Sequence, residues 1–220
     1  DYRQAAEQFQ TLADGLGVVL EPLDSLRKGV FPWPLTWQSR EDSLHWVREQ
    51  LTGIATFAVD GSQIYPTKDF SLPVALIQIG WFENLHQPEG HYQKDIRLDI
   101  LTPLQLRDAQ GAQSEEGSDR LVNMRRFEME TERMREYMED HAGDPRCLVF
   151  LDGSLVATFA QSFDGEMRAF YARCLRRLLQ SSEDNRVPIV AYVDTSYARD
   201  LTEVLQRGFA LPELKGIHRS

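Results

Sequence analysis

The sequence predicts an α/β fold in which helices flank a mixed five-stranded sheet, preceded by an N-terminal helical extension. Two features lead to this prediction. Three strand-like apolar runs come first, and helix and strand patterns alternate after them, an order typical of an α/β sandwich with a mixed sheet. The composition agrees, because 42% hydrophobic and 26% charged residues are ordinary for a single domain of 220 residues.

The N-terminal helical extension is predicted over residues 1–50. Apolar residues recur at helical spacing through residues 2–30, and a shorter helix is predicted over 40–51. Between them, Pro32 and Pro34 require an extended connection. The remaining residues, 51–220, are therefore expected to form the main domain.

Five strands are predicted in the main domain. The first, Thr56–Val59, ends in a predicted turn at Asp60-Gly61-Ser62. Residues 72–82 form a long apolar run suited to a central strand, and residues 94–101 alternate between apolar and polar, as in a half-exposed strand. The last two strands are predicted over 147–151 and 188–193.

The clearest helix is predicted over residues 119–141, after a polar connection at 108–118. Gly143 and Pro145 end it. Further helices are predicted over 164–180, which is rich in arginine, and over 196–206. The apolar stripe of the 119–141 helix consists of Leu121, Met124, Phe127, Thr131, Met134 and Met138.

Charge and cysteine content restrict the function classes. A formal net charge of −10 argues against general nucleic-acid affinity, although a metal-dependent nuclease is an exception because bound cations reverse the local charge. Cys147 and Cys174 form no CxxC pair, so we expect buried thiols, as in a cytoplasmic protein, and no zinc site. The sequence contains neither a membrane-length apolar run nor the Gly-rich loop of a nucleotide hydrolase.

The most informative feature is a repeated pattern in which an apolar strand runs directly into Asp-Gly-Ser, at Asp60 and again at Asp152. Each copy alone is typical of a turn. Together they place two carboxylates at the sheet edge where α/β proteins hold their sites, about 5 Å apart if the strands are neighbours. Such carboxylates repel one another, which favours a divalent cation between them. The alternative is a coincidence of two turns.

These motifs resemble the NurA family of nucleases. The resemblance rests on Phe57-Ala58-Val59-Asp60-Gly61-Ser62, on a helix of the type Arg-x-x-x-Glu, and on Phe150-Leu151-Asp152-Gly153-Ser154-Leu155. It continues through Ala191-Tyr192-Val193-Asp194-Thr195-Ser196 and Ala198-Arg199-Asp200-Leu201, and covers about residues 54–206 in order. It implies a ribonuclease-H-like fold and makes residues 51–220 a NurA-type nuclease domain.

The resemblance also implies which residues form the site, since NurA sites use an Asp after the first strand, a helix Glu, and an Asp after the fourth strand. Asp60, Glu130 and Asp152 are thereby implied as catalytic and metal-binding residues, with Glu128 as the second choice for the Glu. The implied cofactor is Mn²⁺ or Mg²⁺ in a two-metal site, in which one ion activates water and the other stabilises the leaving 3′ oxygen. Asp60 is the best candidate to bridge both ions.

The substrate and partners are implied in the same way. The family acts on DNA as a 5′-to-3′ exonuclease and single-strand endonuclease in end resection for double-strand break repair, together with a HerA-type hexameric ATPase and as a homodimer. Two alternatives stay open: another ribonuclease-H-like nuclease or resolvase, and an inactive scaffold that binds a helicase through its acidic surface.

Arginine side chains are candidates for DNA contacts. We expect Arg126, Arg173 and Arg177 to contact a DNA strand, with Arg125 as a further candidate, and the alternative is a solvated helix face. The aromatic residues Trp33, Trp37 and Tyr65 are expected either to stack on unpaired bases or to pack in the core or a dimer interface.

The extent of the chain bears on the site. The first residue is Asp1 and not Met, and the NurA family has a Tyr and a His near its C-terminal end that find no counterpart here. His218 falls in the wrong place for that His. We therefore expect the chain to be a C-terminally truncated form of the nuclease domain.

Overall fold

The computed structural model of the protein describes residues 35–67, 72–108, 115–156 and 163–193. Within them, Ser39–Val193 form one compact unit. Its helices are α1 (Arg40–Leu51), α2 (Pro103–Asp108), α3 (Glu115–Asp140) and α4 (Gly165–Asn185). Its strands are β1 (Ala55–Ile64), β2 (Ala75–Asn84), β3 (Tyr92–Leu101), β4 (Cys147–Asp152) and β5 (Ile189–Tyr192).

The five strands form one mixed sheet in the order β3-β2-β1-β4-β5. Short connections join β1, β2 and β3, so these strands pair antiparallel. The chain returns from β3 to β4 through α3 and from β4 to β5 through α4, and β1–β4 and β4–β5 are parallel. The predicted mixed five-stranded sheet with flanking helices is confirmed.

The core lies between one face of the sheet and the helices α3 and α4. Phe57 and Val149 contribute from the central strands, and the Phe57 ring stacks on Tyr137 of α3 with centroids 4.0 Å apart. In the predicted stripe of α3, Thr131, Met134 and Met138 are buried, and Leu121 and Phe127 pack against the core as partly buried residues. The amphipathic reading of α3 was therefore correct.

The predicted turn at Asp60-Gly61-Ser62 is wrong. Strand β1 continues through these residues to Ile64. The reason is the antiparallel partner β2, which pairs Asp60 with Gly80 and extends the register to Ile64 opposite Leu76. The second copy behaves as predicted, because β4 ends at Asp152 and Gly153 turns away with a φ of +130°.

In β3 the polar face, and not the apolar face, lies against the helix. Arg97 and Asp99, the polar set, point towards α3, where Arg97 binds Glu136 through two hydrogen bonds of 2.8 Å and Asp99 accepts one of 2.7 Å from Arg125. The apolar set is exposed: Ile96, Leu98 and Ile100. The polar face of β3 therefore lies against α3, where its charged side chains are paired.

Other differences concern element ends. Helix α3 begins at Glu115 and α4 runs to Asn185, both longer than predicted, and the short helix α2 was not predicted. Cys147 and Cys174 are free and buried, as expected. Among the described residues, no helix has the length and apolarity needed to cross a membrane. The predicted helices over 2–30 and 196–206 lie outside the described residues, so the boundary between extension and main domain stays a prediction.

Candidate active site

Two aspartates lie just beyond the point where the parallel pairing of the neighbouring strands β1 and β4 ends. The parallel register places Ala58 of β1 opposite Phe150 of β4. Asp60 and Asp152 each follow two residues later, so they share one face of the sheet. Neighbouring strands lie about 4.8 Å apart. The condition for the two Asp-Gly-Ser copies to come together, that their strands are neighbours, is therefore met.

Helix α3 packs Glu130 against Gly61, the residue after Asp60, because Gly61 has no side chain. Gly61 follows Phe57 and Val59 on the face of β1 that packs against α3. A Cβ atom added to Gly61 would overlap the Glu130 carboxylate and lie 2.7 Å from Cγ of Arg126. The space that any other residue would fill is thus occupied by Glu130 and Arg126.

The electrostatics show that the charges of Asp60 and Asp152 act on Glu130. Burial raises the pKa of Glu130 to about 7; Arg126 acts to lower it, and the charges of Asp60 and Asp152 raise it further. The side chain of Glu130 is only 14% exposed, so these interactions are weakly screened by solvent. Glu130 therefore lies in the field of both aspartates.

The carboxylates do not converge on one point. Among the residues that the structure describes, no group of three His, Cys, Asp or Glu side chains is close enough to hold a metal ion as it stands. Asp60 instead accepts a hydrogen bond of 2.8 Å from the Gly61 amide, and Glu130 faces Arg126. The donor set still fits Mg²⁺ or Mn²⁺ chemically, because these hard cations prefer carboxylate oxygens and relieve the repulsion that raises the pKa of Glu130.

The structure distinguishes Glu130 from Glu128. Glu128 accepts a hydrogen bond of 2.8 Å from Arg125, and its side chain is 30% exposed. Only Glu130 contacts the segment that follows Asp60. Of the two candidates, Glu130 is thus the one placed beside the aspartates, while its catalytic role stays a prediction.

The arginines predicted to contact DNA lie in two different settings. Arg126 donates a hydrogen bond of 3.2 Å to the carbonyl oxygen of Gly61, and its Nε lies 3.6 Å from Oε1 of Glu130. Arg125 is held by Asp99 and Glu128. Both are therefore engaged inside the protein.

Arg173 and Arg177 are exposed on α4. The Arg173 guanidinium lies 5.5 Å from the ring centre of Phe170, and within the described ranges no carboxylate is within ion-pairing distance of either residue. A groove beside Arg177 is lined by Arg135, Glu139, Arg176, Gln180 and Asp184. Contact of these two arginines with DNA stays a prediction.

Of the aromatic candidates, Tyr65 lies closest to the site along β1. Its hydroxyl donates a hydrogen bond of 2.7 Å to Asn123 of α3 and accepts one of 2.8 Å from Gln63. Trp37 is exposed, and Trp33 lies outside the described residues. The hydrogen bonds of Tyr65 fix its ring at the rim of the site, with its stacking role untested.

Sequence reasoning missed two residues in this part of the structure. Asn123 lies one turn before Arg126–Phe127 on α3 and binds Tyr65, and Tyr171 of α4 is buried near Glu130. Burial raises the pKa of Tyr171, while the charge of Arg126 lowers it and that of Glu130 raises it. The only available signal was helical spacing from the Arg-x-x-x-Glu motif, which does not show what α4 brings to it.

Comparisons with known proteins place this geometry in context. The model of the NurA domain matches residues 54–218. No curated protein matches the chain. Three solved structures are similar at low identity, of which one is RNase H1 from the halophilic archaeon Halobacterium salinarum NRC-1: it is 15% identical, with 64% of this chain and 87% of that chain covered, at a TM-score of 0.29.

The other two are forms of the protease–reverse transcriptase of prototype foamy virus. The selenomethionine-labelled mutant is 14% identical, with 83% of this chain and 21% of that chain covered, at a TM-score of 0.33. The native form is 15% identical, with 72% and 20% covered, at a TM-score of 0.31. TM-scores of this size establish neither a shared fold nor a shared activity, so family membership rests on the domain match and on the motifs it contains. The chain therefore belongs to the NurA family, a family of nucleases with a ribonuclease-H-like fold.

Proposed function

We propose that the protein is a divalent-metal-dependent DNA nuclease whose site is formed by Asp60, Asp152 and Glu130. One observation carries the proposal: neighbouring parallel strands present Asp60 and Asp152 together, and Glu130 is buried in the field of both. Three acidic side chains without a cation would be a costly arrangement at this sheet edge, because like charges at short range in a partly buried site repel.

Each residue has a distinct task in this proposal. Asp60 lies at the centre, between β2 and β4, and is the candidate to bridge two ions. Asp152 and Glu130 complete the ligand set from β4 and α3. Bound Mg²⁺ or Mn²⁺ would stabilise the charge that develops on the phosphate and on the leaving oxygen.

The polar residues around the carboxylates orient the substrate and the ligands. Tyr65 and Asn123 form a hydrogen-bonded rim, where the phenol ring is available for stacking on an unpaired base. Arg126 keeps Glu130 against β1. Arg173 and Arg177 are exposed cations on α4 that suit a phosphate backbone, because they neutralise charge without reading sequence.

The biological setting of the proposal comes from the family. We propose 5′-to-3′ exonuclease and single-strand endonuclease activity in DNA end resection, in the cytoplasm, with a HerA-type hexameric ATPase as partner and with a second copy of the chain. The support for these finer statements is the NurA resemblance of the motifs around Asp60, Glu130 and Asp152.

Cleavage of labelled single- and double-stranded DNA with Mn²⁺ tests the activity. We expect Asp60→Asn, Glu130→Gln and Asp152→Asn each to lower cleavage on the order of 10³-fold or more, as when a group acting on the reacting atoms is removed. An RNA strand of the same sequence tests the alternative that the protein is another ribonuclease-H-like nuclease. Cleavage of RNA in preference to DNA would favour that alternative.

Two control variants match the three substitutions. Asp95→Asn removes an exposed β-strand carboxylate that, like Asp60, accepts a hydrogen bond of 2.8 Å from the next amide. Glu128→Gln removes the neighbouring helix carboxylate that binds Arg125. Both should cleave like the unmodified protein. Cleavage that survives Asp60→Asn and Asp152→Asn would contradict the proposed site, and Mn²⁺ binding that is the same in all variants would favour the inactive scaffold.

A further inference from the structure

The Arg126 side chain is wedged between β1 and Glu130. Its Nη1 donates a hydrogen bond of 3.2 Å to the carbonyl oxygen of Gly61, and its Cγ and Cδ lie 2.7 and 3.0 Å from the position of a Gly61 Cβ. Its side chain is 34% exposed, so part of it is removed from water. Arg126 therefore forms one wall of the site and is not a solvated helix-face residue.

Arg126 and Glu130 form an ion pair without a hydrogen bond between them. Nε of Arg126 lies 3.6 Å from Oε1 of Glu130, beyond hydrogen-bonding distance. The same Nε is buried and has no hydrogen-bond partner. A buried donor left unpaired costs free energy, so this contact is held by charge and not by optimal hydrogen bonding. Such a pair can separate at a lower cost than a bidentate one.

Arg126 is the positive charge that offsets the negative charges around Glu130. Burial raises the pKa of Glu130 to about 7, Asp60 and Asp152 raise it further, and Arg126 is the cation whose charge lowers it. Without a metal ion, this guanidinium is the counter-charge for a carboxylate beside two others. A divalent cation among the three carboxylates would repel the guanidinium, since both positive charges compete for Glu130.

We propose that Arg126 is a positioning residue that acts as a resident counter-cation: it holds Glu130 against Gly61 in the metal-free protein and gives Glu130 up when a divalent cation binds. The inference rests on the proposed metal site. It explains why the three carboxylates are near one another yet do not converge as they stand. Arg126 is thus a competitor of the metal and not only a contact for DNA.

The same helix offers a matched control. Arg135 and Glu139 repeat the spacing of Arg126 and Glu130, with Nη2 of Arg135 3.2 Å from Oε1 of Glu139. The Arg135 side chain is 32% exposed, and its Nε is likewise buried without a hydrogen-bond partner. Arg135→Gln therefore removes a comparable arginine whose partner, Glu139, is not one of the proposed metal ligands.

The first measurement is unfolding by denaturant in EDTA at pH 8.5, where Glu130 is ionised. Arg126→Gln should unfold at a lower denaturant concentration than the unmodified protein. Glu130→Gln should abolish this effect. The double variant, Arg126→Gln with Glu130→Gln, should therefore unfold at the same denaturant concentration as Glu130→Gln alone. Equal effects of Arg126→Gln in the presence and absence of the Glu130 charge would overturn the counter-cation role.

The second measurement is Mg²⁺ binding at the same pH, by calorimetry and by thermal shift. Arg126→Gln should bind Mg²⁺ about 5-fold more tightly than the unmodified protein, because a competing charge at short range is gone, and Arg135→Gln should bind unchanged. If Arg126→Gln does not fold, Arg126→Lys should give a smaller shift in the same direction, since it keeps a charge with fewer donors.

The outcomes separate this inference from the proposed function. Unchanged or weaker Mg²⁺ binding by Arg126→Gln, with normal binding by the unmodified protein, overturns the exchange and leaves the metal site intact. Absence of Mg²⁺ binding in every protein overturns both the exchange and the proposed metal site. Tighter binding by Arg135→Gln as well would show a general effect of net charge and would also overturn the exchange.

Discussion

The same tripeptide, Asp-Gly-Ser, has two different structures in this protein. At Asp60 it lies inside the ten-residue strand β1, which continues past it to Ile64. At Asp152 it closes the six-residue strand β4, and the chain turns at Gly153. In both copies the carboxylate comes at the same register position, because Ala58 and Phe150 are paired two residues earlier.

The two glycines are needed for different reasons. Gly61 provides room, since a Cβ there would meet Glu130 and Arg126. Gly153 provides a backbone conformation, since its φ of +130° is unfavourable for other residues while the space around it is open. One copy is therefore constrained by packing and the other by backbone geometry, and substitutions can separate the two constraints.

Gly61→Ala should have the largest effect. The added methyl group must displace Glu130 and Arg126, so we expect a loss of about 1–3 kcal/mol in the free energy of unfolding. Cleavage should fall by about 100-fold, because a shift of about 1 Å in a ligand position has that effect. Denaturant unfolding measures the loss of stability, and the Mn²⁺ cleavage assay measures the loss of activity.

Gly80→Ala is the control for that prediction. Gly80 pairs with Asp60 in the neighbouring strand, and a Cβ there would lie 3.8 Å or more from its neighbours. It should therefore change neither stability nor cleavage strongly. Equal losses from Gly61→Ala and Gly80→Ala would show that the packing of Glu130 against Gly61 is not the constraint.

Glu130→Gln should make the protein more stable at high pH when metal is absent. The pKa of Glu130 is raised from 4.5 to about 7 in the folded state, so the folded protein holds this proton more tightly than the unfolded chain. The stability that this proton contributes is present below pH 4.5 and is lost as pH rises to 7. The variant should therefore gain about 2–3 kcal/mol relative to the unmodified protein between pH 4 and pH 8.

Denaturant unfolding in EDTA across that pH range checks the prediction, with Glu128→Gln as the control. A difference between Glu130→Gln and the unmodified protein that does not vary with pH would refute it. With Mg²⁺ added, the order should reverse at pH 8, because only the unmodified protein keeps all three carboxylates for the cation.

Gly153→Ala should destabilise the protein through its backbone alone. A non-glycine residue at this φ costs about 1–2 kcal/mol, and no neighbouring atom would clash with the methyl group. Since Gly153 also donates a hydrogen bond of 2.9 Å to the carbonyl oxygen of Tyr192, the loss should appear in unfolding of the β4–β5 region. Hydrogen exchange of the β5 amides measures it. Unchanged exchange there would show that the chain relaxes at Gly153 without strain.

Substitution of the two serines, Ser62 and Ser154, should give the smallest difference in stability between the two copies. Ser154 accepts a hydrogen bond of 3.1 Å from the amide of Val156 and donates one of 2.9 Å to its carbonyl oxygen, which fixes the turn after β4. Ser62 lies in the extended strand β1. Ser154→Ala should therefore cost about 0.5–1 kcal/mol and Ser62→Ala less than about 0.5 kcal/mol, as measured by denaturant unfolding. Equal costs would contradict a difference between the turn at Ser154 and the strand at Ser62.

Much of the architecture followed from patterns in the chain. Strand-like runs, the stripe of α3 and the switch from three strands to alternating elements were sufficient for a mixed five-stranded sheet. The continuation of β1 past Asp60 was not predictable locally, since Asp-Gly-Ser favours a turn and only the pairing with β2 overrides it. Which face of β3 lies against α3 was not predictable locally either, because Arg97 and Asp99 find partners on α3 that lie distant in sequence.

By itself, the sequence, through its resemblance to the NurA family, indicated the residue types of the candidate site: two aspartates in Asp-Gly-Ser motifs and a glutamate in an Arg-x-x-x-Glu helix. Tertiary structure decided which glutamate packs against the strand that carries Asp60, and where Arg126 lies. Glu128 and Glu130 are equivalent by periodicity, and only the close approach of α3 to Gly61 separates them. The physical reason is that strand and helix patterns depend on neighbours along the chain, whereas burial and charge depend on what the fold brings together.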